Sequence, residues 1–353
     1  MRVAVVAPPF IPVPPRGYGG TELFVAELAE GLREAGHHVT VYANGQSQVQ
    51  CELRWLYGEA DWPMIDPLSA QLKNAEHTSW AIYEAAHSAD VIHLNDVVGL
   101  PVTRFVDVPV VLTIHHPHES VLSAMYQRYP GIEYVAISEA QARLETMPLM
   151  TVVHHGLDLD DYIFRDTKDD YLAFLGRIVP CKGAHSAIAV ARRAGLRLKL
   201  AGEVQPVYER YWREQVLPDI DGDQIQYLGE ADQTLKNELL AGARALLFPI
   251  EWDEPFGLVM IEAMACGTPV LAFRGGSVDE VVCDGVSGWL CRDIDDMAAR
   301  AVEPGIAPES CRAWIARKFS RERMVARYLD VYQRARSRRG QAINQGAAGS
   351  WKT

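Results

Sequence analysis

Residues 245–273 read ALLFPIEWDEPFGLVMIEAMACGTPVLAF. The apolar run Ala245–Phe248 is followed by a loop rich in Glu, Asp, Pro and Gly, then by an apolar helical segment, Leu258–Cys266. A second apolar run, Pro269–Phe273, closes the stretch. Strands that are apolar throughout and joined through a helix predict a parallel pair covered on both faces. Two carboxylates sit in this unit, eight positions apart. Glu254 lies in the loop, and Glu262 lies inside the apolar helix, where an unpaired charge is costly. Either a ligand or the protein itself must supply donors to Glu262, and the residues alone leave both open.

The same alternation extends in both directions. Val3–Ala7, Val39–Ala43, Val91–Leu94, Val110–Ile114 and Tyr134–Ile137 read as strands, with helices at Thr21–Ala35, Ser69–Ala89 and Glu139–Met147 between them. A second series has strands at Tyr171–Leu175, Leu198–Ala201, Ile225–Leu228, Ala245–Phe248 and Pro269–Phe273, and helices at Ala184–Ala194, Gln233–Ala241 and Leu258–Cys266. The expected fold class is therefore α/β, with two Rossmann-like domains facing each other across a cleft. The first domain is expected over 1–157 and the second over 158–318, joined by the polar stretch LDLDDYIFRDTKDD (157–170). A C-terminal helix over 319–338 is expected to cross back to the first domain, with a frayed tail at 339–353. At 353 residues the chain is too long for one typical core.

Composition narrows the function classes. The net charge is −12, and residues 1–160 hold eight Lys and Arg against 19 Asp and Glu. That acidic half argues against nucleic acid and against strong binding to anionic membranes. Ten Lys and Arg between Arg312 and Arg339 read as a solvated helix face. The start, MRVAVVAPPF, is a first strand broken by Pro8 and Pro9 rather than a signal peptide. Six scattered cysteines without a C-x-x-C pair read as reduced packing residues, and the expected location is cytoplasmic.

Candidate ligand contacts fall just after strands. GRIVPCKG (176–183) places Arg177 and Lys182 at a helix start, where cations and backbone amides suit a diphosphate. RGYGGTE (16–22) offers Gly19 and Gly20 at another helix start, but Glu22 stands where a dinucleotide fingerprint needs its third glycine. TIHHPHE (113–119) crowds three histidines without any familiar metal spacing. His115 at the strand end is better read as a single substrate contact. The acidic turn DGD (221–223) mimics a metal-binding pair but suits a glycine-centred turn. No metal site and no cofactor are expected.

Taken together, these blocks resemble the retaining glycosyltransferases of family 4, small bacterial members included, which have the GT-B fold. VPPRGYGGTELFVAELAEGLREAGHHVTVY, VVLTIHHP, YVAISEAQ, FLGRIVPCKG and EPFGLVMIEAMACGTPVLAFRGGSVDEVV carry the resemblance over nearly the whole chain. The spacing of Glu254 and Glu262 matches the family's E-x7-E motif. The resemblance implies transfer of a hexosyl unit, with retention, from a UDP- or GDP-linked sugar to a hydroxyl of a sugar-containing or small soluble acceptor. Members of this kind decorate polysaccharides or antibiotics. It also implies that Arg177 and Lys182 grip the diphosphate, Glu254 the donor sugar and Glu262 the ribose. The backbone of Phe256, Gly257, Leu258 and Val259 would hold sugar and phosphate. His115 would lie against the transferred sugar, and Gly19 and Gly20 would meet the diphosphate or acceptor. One departure stands out: the junction reads HGLD, with His155 where the family usually has asparagine. A nucleotide-sugar epimerase, a sugar phosphorylase and a non-catalytic nucleotide-sugar-binding protein are the alternatives.

Overall fold

The computed structural model describes residues 1–349 apart from Tyr18 and Ile65, with side chains as far as Arg339. The chain divides into two compact units. The first comprises Met1–Pro15, Gly19–His154 and the chain from Arg321 onward, and the second is built mainly of His155–Ser320.

The first unit holds a seven-stranded parallel sheet. Its strands are β1 (Arg2–Val6), β2 (His38–Tyr42), β3 (Glu52–Arg54), β4 (Val91–Leu94), β5 (Val110–Ile114), β6 (Glu133–Ala136) and β7 (Met150–Val152). Their order is β3-β2-β1-β4-β5-β6-β7. The order reverses between β1 and β4, whose register pairs Val3 with Val91 and Val6 with Leu94. In open α/β sheets this is where ligands gather, beyond the carboxyl ends of the strands. The helix Gly20–Glu34 covers one face, burying Phe24, Val25, Leu28 and Leu32 against Val3, Val5 and Val41.

The second unit holds six parallel strands: β8 (Tyr171–Leu175), β9 (Arg197–Ala201), β10 (Ile225–Tyr227), β11 (Ala245–Phe248), β12 (Val270–Phe273) and β13 (Gly288–Cys291). Their order is β10-β9-β8-β11-β12-β13, with the reversal between β8 and β11. Those two strands lead into the GRIVPCKG loop and the loop carrying Glu254. The quoted βαβ unit forms as its pattern requires, with Leu246, Leu247 and Phe248 paired to Val270, Leu271 and Ala272.

The last helix belongs to the first unit. Arg321 is 7% exposed, and its Nε donates to Glu27 Oε2 at 2.6 Å. Tyr332 and Tyr328 reach a buried chain of polar groups. The Tyr332 hydroxyl meets His93 Nδ1 at 2.7 Å, His93 Nε2 meets Thr113 Oγ1 at 2.7 Å, and Thr113 meets the Tyr328 hydroxyl at 2.9 Å. Burial pushes His93 down to about 3, so the ring is neutral.

Several boundaries differ from the sequence reading. The second unit begins at His155, ahead of the expected start at 158, because the His155 ring packs on Phe256 with centroids 4.8 Å apart. The helix expected over Glu139–Met147 stops at Ala142. The last helix continues to Gly349, through most of the segment expected to fray; residues 350–353 of that segment lie outside the described residues.

Candidate functional site

Where β8 ends, Gly176 N donates to Ala201 O at 3.1 Å and the chain passes Arg177 into the single turn Pro180–Lys182. Gly183 closes that turn with φ 73°, and a Cβ there would stand 2.0 Å from Pro249 O. Only glycine allows this approach. Glu251 N then donates to Cys181 O at 2.8 Å. Two loops far apart in sequence are thereby laced together, one after β8 and one after β11.

This lacing brings Lys182 to Glu254. The ammonium forms an ion pair with Glu254 Oε2, the side chains being 16% and 8% exposed. Trp252 Nε1 donates to the same oxygen at 2.9 Å. Lys182 Nζ also stands 4.9 Å from the centre of the Trp252 ring and 5.8 Å from that of Phe248. The pair is thus largely desolvated and flanked by aromatic faces, so each charge depends on the other.

The Glu254 loop is held from a second side. Ser277 N donates to Glu254 O at 2.9 Å, and the Ser277 hydroxyl donates to Phe256 O at 2.8 Å. Gly276 N donates to Asp253 Oδ1 at 3.0 Å. Beyond this clamp the helix Leu258–Ala265 begins, with Gly257 as an N-cap that provides no side-chain hydrogen bond. Met260 N donates to Gly257 O at 3.0 Å, and the positive end of the helix dipole lies at this first turn.

Glu262 lies in that helix, 4% exposed. Its Oε1 accepts from Lys236 Nζ at 2.5 Å and from the Tyr162 hydroxyl at 3.2 Å. The protein therefore supplies donors to this carboxylate. A carboxylate has about four acceptor directions, and these two donors share one oxygen. Lys236, Tyr162 and Trp252 were not singled out from the sequence. Lys236 sits in the helix Gln233–Gly242 and looks like an ordinary solvated lysine, while Tyr162 is far from Glu262 along the chain. Trp252, beside the E-x7-E spacing, was the one with a usable signal.

In the first unit, Gly19 caps the helix that opens at Gly20. His115 follows β5 and is half-buried. Its Nε2 lies 2.9 Å from Asn95 Oδ1, while Asn95 Nδ2 donates to Val6 O at 2.9 Å. The second bond fixes the Asn95 oxygen as an acceptor. Nε2 of His115 is therefore the donor. The Phe24 ring stands 5.0 Å from that of His115. Asn95, at the end of β4, is a further residue that pattern reading passed over. Glu22 is 6% exposed, and burial pushes its carboxyl up to about 7.

The remaining candidates have local partners. His118 Nδ1 meets Glu145 Oε1 at 3.0 Å, and Asp221 Oδ1 accepts from Asp223 N and Ile225 N, both at 2.9 Å, as a turn-forming aspartate does. Among the described residues, no group of three or more His, Cys, Asp or Glu gathers as metal ligands would. The cysteines are free thiols, and burial pushes those of Cys266, Cys291 and Cys311 up to about 12. No helix among the described residues is long and apolar enough to cross a membrane.

Two family descriptions match the chain. Residues 18–161 match Glycosyltransferase Family 4, and residues 160–315 match Glycosyl transferases group 1. A phosphatidyl-myo-inositol mannosyltransferase of Mycolicibacterium smegmatis is 27% identical over 335 residues, covering 86% of this chain and 84% of its own. Among solved structures, AviGT4, a glycosyltransferase involved in avilamycin A biosynthesis, is 25% identical with a TM-score of 0.71. The match covers 95% of this chain and 98% of that one. Anabaena Alr3699/HepE, solved in complex with UDP and glucose, superposes with a TM-score of 0.75 at 18% identity, covering 94% and 99% of the two chains.

Proposed function

The chain belongs to the GT-B glycosyltransferases similar to family 4, and from that premise we propose that it is a retaining hexosyltransferase. Its donor is a nucleoside-diphosphate sugar, UDP- or GDP-linked. Its acceptor is a hydroxyl on a soluble sugar-containing or small molecule, in polysaccharide or antibiotic biosynthesis in the cytoplasm. The observation that carries this reading is the convergence, in the second unit, of the Lys182 turn, the Glu254 loop and the uncapped start of the helix Leu258–Ala265. Cations and free amides suit a diphosphate, and a buried carboxylate beside them suits the hydroxyls of the attached sugar.

Each residue then has a part in the chemistry. Arg177, Lys182 and the backbone of Phe256, Gly257, Leu258 and Val259 hold the diphosphate and neutralise the charge that grows on it as the glycosidic bond breaks. Fixed dipoles and cations in a desolvated site do this without a metal or a cofactor. Glu254 accepts from sugar hydroxyls, and Glu262, steadied by Lys236 and Tyr162, accepts from the ribose diol. On the first unit, Gly19, Gly20 and His115 serve the reacting end and the acceptor. The leaving phosphate itself takes the acceptor proton, consistent with retention without a side-chain nucleophile. The complex of Alr3699/HepE with UDP and glucose supports a UDP-linked donor.

The test is product analysis with UDP- and GDP-linked hexoses in EDTA, with and without a panel of sugar acceptors. The expected result is acceptor-dependent transfer in which proton NMR shows the donor's anomeric configuration kept. Isomerised donor without acceptor, or turnover that needs inorganic phosphate, would replace this reading with an epimerase or a phosphorylase. Transfer restored only by manganese or magnesium would overturn metal independence.

A further inference from the structure

The Lys182–Glu254 pair is more than a held geometry. The ammonium assigned to the diphosphate is already occupied by the carboxylate assigned to the sugar, and both are mostly out of water. Resting on the donor reading above, we infer that Glu254 is a built-in competitor for Lys182, and that donor binding proceeds by exchange of partners. In the free protein Glu254 neutralises the ammonium. When a diphosphate arrives, two anions would share one ammonium within a few ångströms in a desolvated site, so the carboxylate must give it up.

What the carboxylate gains in return depends on the ligand. Trp252 Nε1 stays on Oε2 at 2.9 Å and keeps Glu254 from swinging away, which makes Trp252 a positioning residue. An intact nucleotide-sugar brings hydroxyls that replace the lost ammonium. A bare nucleoside diphosphate brings none, and leaves a side chain only 8% exposed with one indole donor. The exchange therefore favours the intact donor over the nucleotide product. After transfer it drives release, because Glu254 reclaims Lys182 once the sugar has gone.

This predicts an inverted mutational effect. By calorimetry, using the better bound of UDP and GDP, Glu254→Gln is expected to bind the bare nucleotide about tenfold more tightly than wild type. Its affinity for the corresponding nucleotide-glucose should not improve, so the preference for intact donor shrinks. The gain must disappear when Lys182→Gln is added. No gain in Glu254→Gln, or a gain that survives without Lys182, overturns the exchange; survival would mean simple repulsion between Glu254 and the phosphates. A wild-type protein that binds neither nucleotide overturns the donor reading itself, which is a separate result. Wild-type protein labelled with 15N-lysine, its Lys182 signal assigned with Lys182→Gln, gives a reading independent of Glu254→Gln. The Nζ resonance must move at saturating nucleotide, and an unmoved resonance with binding intact contradicts the exchange.

Discussion

Gly183→Ala should damage the donor-side site and the fold together. Gly183 has φ 73°, a region where an L-residue costs about 1–2 kcal/mol. The added Cβ would stand 2.0 Å from Pro249 O, whereas real Cβ contacts stay above 3.0 Å. The Lys182 turn and the β11 exit must therefore separate by about 1 Å, and overpacking of this kind costs about 1–3 kcal/mol. The sum is about 2–5 kcal/mol. At about 2–4 °C per kcal/mol for a unit of this size, a mid-range loss of about 3.5 kcal/mol lowers Tm by about 7–14 °C. The same movement strains the Glu251–Cys181 hydrogen bond and carries Lys182 away from the helix start with which it would share the diphosphate. Nucleotide affinity should fall as well, which calorimetry would report beside a thermal melt. A variant that melts within about 2 °C of wild type and binds nucleotide normally would refute the claim that this close approach assembles the site.

Three further outcomes follow from the same geometry. Glu262→Gln should weaken a bare nucleotide and the corresponding nucleotide-sugar alike by about tenfold, since both carry ribose and a charge-assisted pair contributes about 1.5–3 kcal/mol; normal binding in titrations would leave Glu262 only its contacts to Lys236 and Tyr162. Arg321→Met should remove the buried cation paired with Glu27 and cost about 3–5 kcal/mol in urea unfolding, with Glu27→Leu added in the same chain recovering most of it. For Glu22, the folded-state carboxyl is raised from 4.5 to about 7, so the folded protein holds the proton more tightly than the unfolded chain. The stability this contributes is present below pH 4.5 and is lost as pH rises towards about 7. Glu22→Gln should flatten that part of the stability–pH curve and stabilise the protein at pH 8, and an unchanged curve would contradict the assigned burial.

The central strands were legible because they are covered on both faces and so are apolar throughout, as in Ala245–Phe248 and Val110–Ile114. Three of the four edge strands among the described residues lack that imprint: Glu52–Arg54, Met150–Val152 and Gly288–Cys291 are short and partly exposed, and pattern reading passed over all three. The helices Ile294–Val302 and Pro308–Lys318 were missed as well, their charged residues obscuring a narrow buried stripe around Met297, Ala298, Cys311 and Ile315. In the candidate site, glycines and charges at strand ends marked Arg177, Lys182, Glu254 and Glu262. Their partners could not be marked the same way. Nothing local joins Lys236 or Tyr162 to Glu262, or Asn95 to His115, because these contacts are set by strand order rather than by spacing along the chain.

The claim that the second unit binds the diphosphate of a sugar donor meets its most direct test in nucleotide titrations of wild type, Arg177→Gln and Lys182→Gln, followed by calorimetry at fixed salt. Wild type is expected to bind UDP or GDP and each variant to lose about tenfold or more, as removal of a charge-assisted phosphate contact requires. Variants that bind as tightly as wild type, or a wild type that binds no nucleoside diphosphate at all, would contradict it.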